Sequence, residues 1–100
     1  MLVLPNKSAA VWNKFLKDEE ILIYKFIVRQ IDKNLESPDE QIDLFKFEDG
    51  SMYAWLPKKH IPKTLSQAIK SFVKVEEYEY ADKATKVLHK YYINKLISEV

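Results

Sequence analysis

The chain contains no cysteine. A disulfide framework, a thiolate zinc site and a cysteine nucleophile are therefore excluded. Glycine occurs once in 100 residues, at Gly50. Loops that cradle phosphates need several glycines, so a P-loop and a dinucleotide fingerprint are excluded as well. No G-x-S-x-G elbow and no H-E-x-x-H pair occurs. The longest apolar stretch, ILIYKFIV, is interrupted by Lys25 and is too short to span a bilayer. The opening MLVLPNKSAAVW carries only a short apolar run before Pro5, less than a secretory signal needs. The expectation is a cytoplasmic protein with no membrane span, no metal and no cofactor.

An excess of one charge is missing too. Lys plus Arg number 16 and Asp plus Glu 15. That balance excludes a strongly basic nucleic-acid domain as the main identity. What is present is apolar material: 47% hydrophobic and 13% aromatic residues, enough for a packed core. The length suits one domain, residues 1–100, with no repeat and no linker. A chain of this size buries about 60–65% of its unfolded surface, so a partner that covers more adds stability.

The fold expected is α+β: an N-terminal helix with a bend, a central antiparallel hairpin and two C-terminal helices. Ser8 can cap the first helix. Asp18 can restart it, with Glu19 and Glu20 favoured by the dipole of the first turn. Tyr24, Ile27, Val28, Ile31 and Leu35 then follow helical spacing, with Lys25, Arg29, Asp32 and Lys33 opposite. A strand reading competes over this segment because Ile21, Ile23, Ile27 and Val28 are β-branched. The helical wheel separates the charges more cleanly.

IDLFKFEDGSMYAWLP is the clearest local signal. Asp49-Gly50 between two apolar runs reads as a type I′ hairpin turn. With that loop, Phe47 opposes Met52, Phe45 opposes Ala54, and Asp43 opposes Leu56. Phe45 and Phe47 then anchor the core face. The other face carries Ile42, Leu44, Tyr53 and Trp55, together with Lys46 and Glu48. Helices can cover one face of such a ribbon, which leaves the second for another helix, a second copy of the chain or a ligand. A homodimer interface over Ile42, Leu44, Tyr53 and Trp55 is one expectation. After the hairpin, Thr64 and Gln67 resemble a capping box. Leu65, Ala68, Ile69 and Phe72 form a stripe. Asp82 can cap a last helix that buries Ala84, Val87, Leu88, Tyr91 and Leu96.

No catalytic constellation emerges. His60 and His89 are the only histidines, and neither has a partner at helical metal spacing. The acidic pairs Glu19-Glu20, Asp39-Glu40 and Glu76-Glu77 are adjacent, so on a helix they diverge by about 100°. They read as capping or solvated faces. Charge is segregated instead: lysines 58, 59, 63, 70 and 74 form one block, acids 36, 39, 40, 43, 48 and 49 another. Acids 76, 77, 79 and 82 are followed by lysines 83, 86, 90 and 95. Such blocks either pair with one another or steer a partner. In EEYEYAD the tyrosines read as helix-edge residues.

SMYAWLPKKHIPK places Tyr53 and Trp55 on one strand face, leading into Lys58, Lys59, His60 and Lys63. These six are the candidate partner-binding residues. Rings beside ammonium groups suit single-stranded nucleic acid. They equally suit a protein hot spot. The block lacks arginine, which disfavours base readout. The function expected is therefore a small intracellular interaction protein, an adaptor, inhibitor or assembly subunit, and not an enzyme. A nucleic-acid-binding regulator is the alternative. A compact nuclease using His60 with Lys58 and Lys59 is the third.

Overall fold

A computed structural model describes residues 2–5 and 8–98. The elements run β1 (Leu2–Leu4), α1 (Ala9–Asp18), α2 (Glu20–Asn34), β2 (Gln41–Phe47), β3 (Tyr53–Pro57), a short 3-10 turn (Lys58–His60), α3 (Ile61–Lys74) and α4 (Tyr78–Ser98). The class is α+β. The sheet is not a bare hairpin: it is mixed, in the order β1-β2-β3, with β1 parallel and β3 antiparallel to β2. The opening Leu-Val-Leu, expected only as a short apolar run, supplies the extra strand.

Residues 20–34 are helical, as the charge separation required. Ser8 caps α1, its Oγ accepting from the Val11 N–H at 3.3 Å. The bend falls at Glu19, whose side chain makes no capping bond, so Asp18 does not start α2 as expected. α3 begins at Ile61 with Pro62 in its first turn, where a missing N–H costs nothing. Thr64 therefore lies inside the helix and does not cap it. Asp82 is likewise inside α4, where it pairs with Lys86 at 2.9 Å one turn on.

Twelve of the described residues make the main core cluster, three helices packed on the sheet's inner face: Val28 and Ile31 of α2, Ile42, Leu44 and Leu56 of the sheet, Ile61, Leu65, Ala68 and Phe72 of α3, and Ala81, Ala84 and Val87 of α4. Phe72 is its largest fully buried side chain, with Tyr24 and Tyr80 rings at 6.4 and 5.7 Å. Phe45 is half-buried beside this cluster, and Phe47 is buried outside it against Trp12, ring centroids 5.5 Å apart. The hairpin phenylalanines thus border the main cluster, Phe47 buried and Phe45 packed against its edge, and do not form its centre. Leu96, expected inside, is 67% exposed, because α4 outruns the elements that cover it.

The segregated charges pair in part across helices. Lys25 meets Glu77 at 3.1 Å and Lys90 meets Asp32 at 3.2 Å.

The turn between α3 and α4 holds the one non-glycine residue with positive φ among those described, Glu76 at 63°. The Glu77 N–H donates to the Phe72 carbonyl at 2.8 Å and the Glu76 N–H to that of Val73 at 3.1 Å. This is a Schellman ending, whose left-handed position glycine fills most easily. Glu76→Gly should therefore raise stability by about 0.5–1 kcal/mol, read as a higher urea midpoint with unchanged slope.

Candidate interaction face

The hairpin register decides which side chains face out. Near the turn it follows the sequence: Phe45 pairs with Ala54, Lys46 with Tyr53, and the Phe47 N–H donates to the Met52 carbonyl at 3.0 Å. The connection itself is not type I′. Only Gly50 has positive φ, and its N–H closes a turn onto the Phe47 carbonyl at 3.0 Å. Asp49 instead accepts from the Ser51 N–H at 2.8 Å. Its carboxyl is held below the ordinary value, first by a hydrogen bond with the Ser51 side chain and then by this backbone bond.

Farther from the turn the register slips by one. Asp43, not Leu44, opposes Trp55, and Ile42 opposes Leu56, with the bulge between Asp43 and Phe45. A one-residue slip moves side chains to the other face. The bulge turns Ile42, Leu44, Phe45 and Phe47 toward the helices and leaves Asp43 and Lys46 outward. Ile42 is 2% and Leu44 7% exposed. The expected surface patch of Ile42, Leu44, Tyr53 and Trp55 is therefore corrected. Ile42 and Leu44 belong to the core of the same chain and cannot contribute to a dimer interface. Tyr53 and Trp55 stay outside.

The open face is built from in-register rows. One row is Val3, Lys46 and Tyr53, across all three strands; the next is Asp43 and Trp55. The Tyr53 and Trp55 rings lie 5.6 Å apart at 30°, 38% and 51% exposed. The Tyr53 hydroxyl donates to Asp43 Oδ1, and Gln41 Nε2 donates to the same oxygen at 3.4 Å. The ring pair is thus held by the strand beside it. No strand pairs with the outer edge of β3 among the described residues.

The Asp43 carboxylate raises the Tyr53 phenol above its ordinary value, chiefly through their hydrogen bond. The neutral phenol is the form the fold favours. Its contribution is present below the ordinary pKa of about 10 and is lost as pH rises through the raised value. Tyr24 is raised too, by burial and by Glu20. Ultraviolet titration should show two late-ionising tyrosines. Asp43→Asn should return one of them to the ordinary range; an unchanged late phase would mean that the Tyr53–Asp43 bond does not form.

The basic residues do not extend the ring pair as a row of free cations. The Lys58 ammonium donates to the Ser37 carbonyl, and the Lys58 N–H to that of Glu40 at 2.9 Å. Lys58 is committed to the connector before β2. Lys59 and His60 are exposed in the short turn, and Lys63 on the first turn of α3. Lys58 and Lys59 line a groove of about 580 Å³ together with Asp39 and Glu40. Acids thus share the lysines' surface, and Asp43 shares the rings'. His60 has no hydrogen-bonded or ion-paired carboxylate to orient it among the described residues.

Two features escaped the sequence reading. Tyr92, Ile93, Leu96 and Ile97 form an exposed apolar stripe on α4, whose i, i+4 spacing was legible. The second, a cleft under α1, needed the unexpected strand β1 to form. Among the described residues no cluster of His, Asp or Glu could hold a metal ion, and no helix is long and apolar enough to cross a membrane. No protein-family model, no curated protein and no solved structure matches the chain.

Proposed function

We propose that this chain is a small cytoplasmic protein-binding module, an adaptor, inhibitor or assembly subunit, that engages its partner through the open face of the sheet. The observation that carries this reading is the stacked Tyr53–Trp55 pair, half in solvent and fixed by Asp43. Aromatic rings held rigidly lose little entropy on binding and supply large contact area. The free edge of β3 beside them adds main-chain donors and acceptors for an incoming strand. A second copy of the chain is one such partner. Single-stranded nucleic acid is disfavoured, because the Asp43 carboxylate sits where phosphates would approach the rings.

The test is capture of partners from native lysate on the immobilised chain, before and after nuclease. A protein retained after nuclease, and lost in Trp55→Glu but not in Tyr92→Glu, supports the reading. A central hot-spot aromatic contributes at least about 2 kcal/mol, roughly a thirtyfold loss of affinity. Retention by Trp55→Glu, or loss of every partner on nuclease treatment, overturns it. Sedimentation of the purified chain separates the self-partner case from the others.

A further inference from the structure

A second apolar surface lies on the other side of the sheet. Leu2 and Leu4 of β1, with Phe45 and Met52 of the hairpin, form one wall of a cleft of about 490 Å³. α1 supplies Trp12 and Leu16, and α2 supplies the exposed Leu22 and Phe26, which also packs against the edge of the core. This volume and lining are those of a small-molecule site: largely apolar, with few polar groups.

The polar groups present are of one sign. Lys25 and Arg29, one helical turn apart on α2, line the cleft, and no carboxylate does. Lys25 is already engaged, by Glu77 at 3.1 Å and by the Tyr80 ring at 4.5 Å. Arg29 is exposed and has no ion pair among the described residues. In addition, the Trp12 indole N–H is buried with no acceptor among the described residues. Buried donors are normally satisfied, so this unpaired one stands out in a residue that lines the cleft.

We infer that the cleft binds a long-chain fatty carboxylate, its tail along the apolar walls and its head on Arg29. A guanidinium presents two parallel N–H groups to a carboxylate. One unneutralised cation balances one carboxylate charge. A phosphate head, with its larger charge, asks for a second free cation, which Lys25 does not supply. An acidic partner helix would need a surface of about 800 Å² per side to be held stably, more than this cleft presents as a compact cavity.

Displacement of the fluorescent polyene cis-parinaric acid from the purified chain tests this, with oleate and oleyl alcohol as competitors. The two share a tail and differ in charge. Oleate should displace the probe, and the alcohol should be at least about tenfold weaker, the usual worth of a charged hydrogen bond. Arg29→Gln should weaken oleate by a similar factor and leave the alcohol unchanged. Leu22→Glu, at an exposed wall position, should weaken both. Both substitutions are on the surface, and thermal melting verifies that each variant is folded. No displacement by oleate below its micellar concentration overturns the inference. So does an oleate-to-alcohol ratio that Arg29→Gln leaves unchanged.

Discussion

Phe72→Ala should cost about 3–5 kcal/mol, because it removes the largest fully buried side chain and leaves a cavity among three helices. The ring lies between Tyr24 of α2 and Tyr80 of α4, so its loss loosens two helix contacts at once. A domain of this size has roughly 5–15 kcal/mol in total, so the variant stands near the limit of folding. Thermal melting should show a midpoint at least about 10 °C lower. Phe45→Ala, at a half-buried position, should cost clearly less. Equal losses for the two would mean that the core is centred on the hairpin and not on α3.

The second large effect separates the two faces of the sheet. Leu44→Asp should unfold the chain, since a carboxylate there would be buried among apolar side chains without a partner, at a cost of several kcal/mol. Trp55→Asp, on the neighbouring strand but facing out, should change stability by less than about 1 kcal/mol. Circular dichroism of the two purified variants checks this. An unbulged hairpin would put Leu44 on the same face as Trp55 and give the two substitutions similar, mild effects.

That bulge is also where sequence reasoning stopped short. Strict alternation along IDLFKF puts Ile42, Leu44 and Lys46 on one face, against Asp43, Phe45 and Phe47. The apolar positions are in fact 42, 44, 45 and 47, and the break in alternation at 44–45 is what a bulge resolves. With it, four apolar side chains turn inward and both charges turn outward. The signal was present, but the strong Asp-Gly turn fixed an unbroken register from the other end. Close to that turn the register was legible, down to Lys46 opposite Tyr53.

Other gaps have different causes. β1 is three residues ended by Pro5, and it pairs in parallel with a strand some forty positions away, which no local pattern announces. Thr64 and Asp82 look like caps, which would start α3 and α4 later in the chain than they begin. Pro62 opens α3 earlier, and the Schellman turn at Glu76 lets α4 begin at Tyr78. Of the six candidate binding residues, Tyr53 and Trp55 stand together, whereas Lys58 is tied to the Ser37 carbonyl. Sequence proximity joined them; backbone hydrogen bonding separated their roles.

The central claim is that Trp55 lies on an open sheet face available to a partner. Acrylamide quenching of Trp55 emission measures this most directly. It is done in a Trp12→Phe background and at a concentration where sedimentation gives the mass of one chain. The account predicts red-shifted emission quenched efficiently, as befits an indole that is half in solvent. Blue-shifted emission resistant to quencher, in the single chain, would mean that this face is covered from within and would contradict the account.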